Sequence, residues 1–361
     1  MKNLRLRNKV LSLATLSALV FTNSAIAENR IKTFDVDTEA SNYSAYSEYD
    51  TDFKDYIPYT LNIADYSNFT DMEYNYFQII VNGILKHEAV VKRPYNITDE
   101  SVVKVDKCLK DSEYWSIIKN MIYNRDTDET TIVYRYDKKT SIQVLNTIHR
   151  YMQFIIDELI EPDMNDLDIL MTIYGYTVEH FKYDYNYDKD KSFLVPSQLD
   201  PNRNVQMYET IYNLQENNLG VCHTFSYFIN YACNMLGVKT SVVRGTCKAG
   251  YHMWLIAEID GYNYFFDPTF EMGHKTKLKY FGMTLEERNK DKADEKEYLT
   301  DNYPYDVELC HEKTFKDLRK ATYYEYIGNH VFIVKFGKKV RFFDTINKKL
   351  TKENPLDVKT K

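Results

Sequence analysis

Three side chains in the second half of the chain, Cys222, His252 and Asp267, have the types needed for nucleophilic chemistry. A thiol becomes a strong nucleophile when a base takes its proton, an imidazole is the side chain best matched to that task, and a carboxylate can hold the imidazole in place. Nucleophile, base and orienting residue form the minimal set for that chemistry.

The elements around these residues follow from local pattern. Asn218-Leu219-Gly220-Val221-Cys222 runs directly into Phe225, Phe228, Ile229, Ala232, Met235 and Leu236, an apolar series at helical spacing that Gly237 ends. Cys222 is thus expected in the first turn of a buried helix, where free N–H groups and the helix dipole favour an anion. Gly220 is expected to let the backbone turn tightly into that helix. Taken alone, such a cysteine reads better as a buried structural thiol than as a nucleophile.

The next stretch supplies the partners. Val238 to Val243 reads as a strand, Gly245 to Gly250 as a loop and Tyr251 to Ile259 as a longer strand. Asp260-Gly261 is a two-residue hairpin signal, and Tyr262 to Asp267 returns antiparallel. With that turn Ile259 faces Tyr262 and Trp254 faces Asp267, which leaves His252 diagonal to Asp267 on the same face. Diagonal neighbours lie about 7–8 Å apart at Cα, within reach of a carboxylate and an imidazole. A lone strand histidine is otherwise a half-buried residue without chemistry; the joint order of helix-start Cys, strand His and hairpin Asp argues for a site.

Other residues fit less well. His223 adjoins Cys222 but points about 100° away around the helix, and reads as a surface or supporting residue. Cys233 lies 11 positions along the same helix. That places the two sulfurs roughly 16 Å apart, too far for a disulfide. Cys247 precedes His252 in the expected loop and reads as filler. The acidic clusters Asp184 to Asp190 and Asp126 to Glu129 lack the spaced pattern of a calcium loop and read as solvated, so neither metal nor cofactor is expected.

The rest of the chain sets the context. Lys2, Arg5, Arg7 and Lys9 precede an apolar run from Val10 to Phe21 and the small-x-small site Ala25-Ile26-Ala27, the three parts of a secretory signal peptide over residues 1–27. Removing those four from the 46 basic residues leaves 42 against 53 acidic ones, a formal charge of −11. No later stretch has the length of a transmembrane helix, so the mature chain is expected to be secreted or at the cell surface. Its acidity argues against a nucleic-acid partner. Five cysteines with no C-x-x-C pair argue against a zinc or thioredoxin-like motif, and the odd count leaves at least one thiol unpaired within the chain. The 33 tyrosines fit an AT-rich coding bias or a surface of aromatic platforms. Tyr183, Tyr185, Tyr251, Tyr262 and Tyr264 fall beside the expected site.

Gly220-Val221-Cys222 at a helix start, His252-x-Trp254 on the next long strand and Asp260-Gly261-x(5)-Asp267-Pro268-Thr269 together resemble the transglutaminase-like superfamily, in particular its exported bacterial members. Ile173-Tyr174 through Lys182-Tyr183-Asp184-Tyr185 is similar to the helix that opens that domain. The resemblance covers about 165–285, and residues 71–160 look more weakly like the region that often precedes such domains. It implies an α+β, papain-like core with the nucleophile helix packed on an antiparallel sheet. Cys222 would be the nucleophile, His252 the general base and acid, and Asp267 the residue orienting the ring. The implied chemistry is acyl transfer from a peptide or protein amide through a thioester, giving hydrolysis with water and cross-linking with an amine. Gln215, Asn217 and Tyr212 are candidates for an oxyanion donor by sequence proximity alone.

The organisation that follows is a polar entry segment over 28–70, an N-terminal α+β region over 71–162, a transglutaminase-like catalytic domain over 163–285 and an extension over 286–361. Helices are expected over about 141–160 and after Asn165-Asp166, and 186–204 reads as a loop. In the extension, Glu286 to Glu297 reads as a solvated helix face, and Val331 to Phe336 with Val340 to Phe343 as a hairpin around Gly337. The alternative to an enzyme is a cell-surface binding module that keeps the fold without turnover.

Overall fold

The structure, a computed structural model, describes residues 69–185, 194–196, 204–206, 211, 214–215, 218–247, 250–290 and 310–357. The expected signal peptide and nearly all of the expected entry segment lie outside the described residues, as do Tyr212 and Asn217. The architecture is mixed α and β with mainly antiparallel sheets.

The chain enters through α1 (Asp71–Lys86), started by a reciprocal cap in which Thr70 Oγ1 accepts from the Glu73 N–H and Glu73 accepts from the Thr70 N–H. Its buried stripe, Tyr76, Phe77, Ile80, Val81 and Ile84, has helical period and meets α2 (Asp99–Lys110). Beside them β1 (Val90–Lys92), β2 (Ile118–Asn124) and β3 (Glu129–Tyr134) form an antiparallel sheet in the order β1-β3-β2. The next helix, α3 (Lys138–Leu159), starts four residues before its apolar pattern does, at Ile142. Its first turn is polar and is set by Asp137, whose carboxylate accepts from the Thr140 N–H at 2.8 Å.

Asn165 caps α4 (Asp166–His180) as expected, with Asp168 closing the box. The chain then forms β4 (Lys182–Tyr183) and, overlapping the segment 186–204 read as a loop, a short antiparallel ribbon of β5 (Leu194–Pro196) and β6 (Asn204–Gln206). It returns through β7 (Leu219–Gly220), which pairs parallel with β4.

The segment before Cys222 is thereby tied to the end of α4. The Lys182 N–H donates to the Asn218 carbonyl at 3.0 Å and the Asp184 N–H to the Gly220 carbonyl at 2.8 Å. Gly220 does not serve a left-handed turn; Asn218 takes that conformation, at φ 55°. Glycine is needed at 220 for space, because a Cβ would lie 3.0 Å from each of Leu214, Thr224 and Phe225.

The helix α5 (Cys222–Met235) then packs against the sheet β10-β9-β8, made of β8 (Thr240–Cys247), β9 (Gly250–Ile259) and β10 (Tyr262–Phe266). Phe225, Phe228, Ile229 and Ala232 are fully buried in that packing. The hairpin register is the one counted from Asp260-Gly261: Ile259 pairs with Tyr262 and Leu255 with Phe266. Asp260 and Gly261 both have positive φ, as a type I′ turn requires. The strand expected over 238–243 is shifted later, and the expected loop 245–250 is paired up to Cys247 and Gly250, because the longer β9 supplies partners for residues with no apolar alternation of their own.

Beyond the hairpin lie α6 (Pro268–Glu271) and α7 (Leu285–Lys290). The last sheet holds β11 (Tyr323–Tyr326), β12 (Val331–Phe336), β13 (Lys339–Asp344) and β14 (Lys349–Thr351), all antiparallel. The hairpin around Gly337 is present, with Phe336 paired to Lys339. A continuous apolar core runs from Tyr76 in α1 through α3, α4 and α5 to Phe343 in β13.

Candidate active site

Cys222 begins α5 behind Val221, which has no side-chain acceptor to cap the first-turn N–H groups. It is a free thiol and the only half-buried one among Cys108, Cys222, Cys233 and Cys310, the rest of which are buried. Burial pushes the Cys233 thiol far up, so it stays protonated.

His252 lies on the face of β9 that the register assigns it, and Asp267 stands one residue past the end of β10. The two meet at 2.7 Å, His252 Nε2 to Asp267 Oδ2, and both are buried. Cys222 sits within hydrogen-bonding reach of the same ring. With Nε2 committed to Asp267, Nδ1 is the nitrogen left for the sulfur. The three sequence-assigned residues are therefore brought together in the order Cys222, His252, Asp267.

Two aromatic rings fix the imidazole plane. Phe270 stacks on it with centroids 4.4 Å apart and planes 12° apart, and Trp254 lies 5.7 Å away at 23°. Phe270 is held in turn by Asp267, whose Oδ1 accepts from the Phe270 N–H at 3.0 Å as the N-cap of α6. One carboxylate thus orients the histidine with one oxygen and starts a helix with the other.

Burial disfavours a charged ring, yet the Asp267 carboxylate and Cys222 outweigh it and raise the His252 pKa to about 10. Burial likewise opposes the Asp267 charge, but His252 and Arg288 together hold its carboxyl below the ordinary range. The favoured state of this pair is an imidazolium on a carboxylate.

Arg288 was not anticipated. It lies in the charged run read as a solvated helix face, yet it is 1% exposed. Its Nη2 donates to Asp267 Oδ2 at 3.3 Å, and its guanidinium lies 4.6 Å from the Trp254 ring centre and 5.5 Å from that of Phe270. Its only sequence signal is its position three residues after Leu285, obscured by four charged neighbours. A second buried carboxylate, Glu271, also escaped notice; it accepts from Tyr174 Oη at 3.1 Å and from the Tyr280 N–H at 2.6 Å.

The remaining candidates stand apart. His223 is buried rather than at the surface, stacked 5.9 Å from Tyr227 with Nε2 3.9 Å from Asp111 Oδ1. Gln215 is half-buried, and among the described residues its Oε1 has no hydrogen-bond partner. The Cys247 side chain lies outside the described residues. Of the five tyrosines near the site, Tyr185, Tyr251 and Tyr262 are exposed, the Tyr183 ring lies 5.0 Å from that of Tyr185 with planes tilted by 57°, and Tyr264 is buried with its hydroxyl 2.9 Å from Thr314 Oγ1. Among the described residues no group of three or more His, Cys, Asp or Glu side chains is placed to hold a metal ion, and no helix is long and apolar enough to cross a membrane.

No family model and no curated protein matches the chain. Among solved structures, one described as "Crystal structure of a TGase" aligns at 16% identity and a TM-score of 0.26, over 43% of this chain and 44% of that one. The chain thus spans less than half of that protein's length, and a likeness of this degree carries no inference about either fold or activity.

Proposed function

We infer that the protein is a transglutaminase-like cysteine enzyme acting on peptide or protein amides by acyl transfer. The observation that carries this reading is the continuous line from the Cys222 thiol through the His252 ring to Asp267. In the first step the proton given up by the thiol sits on His252 Nδ1, completing the imidazolium, while the sulfur attacks the amide carbon. The C–N bond then breaks, His252 gives that proton to the departing nitrogen, and a thioester remains on Cys222. Water or an amine adds to the thioester with its proton passing to His252, the C–S bond breaks, and the thiol is restored. Asp267 stays ionised throughout and stabilises the imidazolium. The Cys222 backbone N–H, uncapped at the helix start, is positioned to stabilise an oxyanion next to its own sulfur.

In this reading residues 163–285 with Arg288 form the catalytic unit, residues 71–162 support it, and the leader sends the protein out of the cytoplasm to a secreted or cell-surface substrate. The test compares wild type with Cys222→Ala on a glutamine-containing protein, with and without a labelled amine. Incorporation lost in the variant identifies a transferase; cleavage or deamidation lost in the variant identifies a hydrolase. Iodoacetamide should also modify Cys222 well ahead of the buried thiols. Uniformly slow labelling of all five, with no Cys222-dependent turnover, would leave a binding module instead.

A further inference from the structure

Asp267 Oδ2 serves two cationic partners at once. His252 Nε2 lies 2.7 Å from it and Arg288 Nη2 lies 3.3 Å from it, so the two nitrogens are at most 6.0 Å apart, the sum of those contacts. Arg288 cannot shed its proton, and at 1% exposure water does not screen it. Its guanidinium lies over the rings of Trp254 and Phe270, the same two rings that hold the imidazole plane. The helix carrying it is itself pinned, because Thr284 and Glu287 exchange backbone-to-side-chain hydrogen bonds of 3.0 Å at its start.

We propose that Arg288 is a positioning residue that limits how firmly Asp267 retains the His252 proton, so that the ring can give that proton up as well as take it. The inference rests on the catalytic reading of His252 but acts at Asp267. A carboxylate with a single imidazolium partner in a buried site would form a closed neutral pair and hold the ring proton more tightly still. A fixed second cation on the same oxygen weakens the imidazolium by repulsion, while still favouring the Asp267 charge. It also keeps Oδ2 turned toward the ring. Among the described residues, the other titratable groups packed against this cluster include Cys222 from α5, Glu271 from α6 and Tyr280, whose ring lies 5.7 Å from that of Phe270; Glu271 lies across the Tyr174 hydroxyl, which also reaches the Asp267 carbonyl at 3.1 Å. None of these supplies a second cation.

The test is an NMR titration of the His252 ring signal, assigned as the one lost in His252→Gln, with tryptophan fluorescence reporting the fold. Wild type should titrate near 10. Arg288→Gln should move the midpoint up by about one pH unit, and Arg288→Lys should return it close to wild type. Thr284→Ala, which loosens the start of α7 without touching Arg288, should shift it the same way by less. An unchanged or lowered midpoint in a folded Arg288→Gln overturns the proposal, as does a Lys variant that behaves like Gln. If Arg288→Gln does not fold, an unchanged midpoint in Thr284→Ala overturns it. The readout needs no substrate, so absence of amide turnover would sink the enzyme reading while leaving Arg288 to be judged on the titration.

Discussion

Tyr174 and Glu271 share a hydrogen bond of 3.1 Å in a place where both side chains are fully buried, and the same tyrosine hydroxyl lies 3.1 Å from the Asp267 carbonyl. A hydroxyl has one proton to donate, so it cannot satisfy both acceptors together. Burial raises the Glu271 pKa to about 7 against the lowering effect of the Tyr280 and Lys279 N–H groups and the Tyr174 hydroxyl. Its folded value therefore lies above its ordinary 4.5, and the sign follows: the associated stability is complete below 4.5 and is lost as pH rises through about 7. Glu271→Gln should remove that slope, on the order of 3 kcal/mol across the interval, in urea denaturation followed over the same pH range.

Asp267→Asn separates the charge of that residue from its shape. With its oxygen kept toward the Phe270 N–H, the amide preserves the cap of α6 and presents its NH2 group to His252 and Arg288 in place of Oδ2. Without the negative charge the His252 midpoint should fall from about 10 toward 6.5, read by ring-proton NMR. In wild type the raised His252 value contributes stability that is complete below 6.5 and lost as pH rises through about 10; the variant should lose little over that span. It should also be less stable near neutrality by about 3–5 kcal/mol, because Arg288 is left buried without its carboxylate. Adding Arg288→Gln should recover much of that loss.

The parts of the site that were legible in the sequence are those fixed by short-range rules. Asp260-Gly261 sets the turn, the turn sets the register, and the register alone brings His252 to Asp267. Gly220-Val221-Cys222 before an apolar helical series likewise places the thiol at a helix start. What escaped depends on which way a residue faces or on distant partners. Arg288 turns inward from a run whose other charges gave no sign of it. His223 is buried only because α2 ends beside it, with Asp111 Oδ1 3.9 Å away across 112 positions of sequence. Gly220 was rightly singled out but for the wrong cause, since the constraint is the Leu214, Thr224 and Phe225 side chains rather than backbone conformation.

Gly175 gives a prediction opposite in sign to the usual helix rule. In the middle of α4, replacing glycine by alanine ordinarily stabilises by about 1 kcal/mol. Here a Cβ would lie 2.5 Å from Tyr324 Oη and 3.0 Å from its Cζ, and that hydroxyl donates to the Met171 carbonyl at 3.1 Å. The tyrosine cannot yield without giving up the bond that joins β11 to α4. Gly175→Ala should therefore destabilise by about 1–3 kcal/mol in thermal or urea unfolding. Combined with Tyr324→Phe, which removes the obstructing oxygen, the cost should shrink.

Arg244 on β8 forms an ion pair with Asp111 at the end of α2, joining the sheet beneath the site to the N-terminal region. The side chains are 11% and 1% exposed, so neither charge is well solvated. A buried pair adds modestly when intact but is costly to break from one side, since the remaining charge has no water to replace its partner. Asp111→Ala should cost about 3–5 kcal/mol in urea denaturation. Asp111→Asn with Arg244→Met, which removes both charges at similar volume, should restore most of it. The His252 titration in that double variant should match wild type, because the pair lies on a different partner set from Asp267. A shift in that titration would mean that the N-terminal region sets the electrostatics of the site as well as its support.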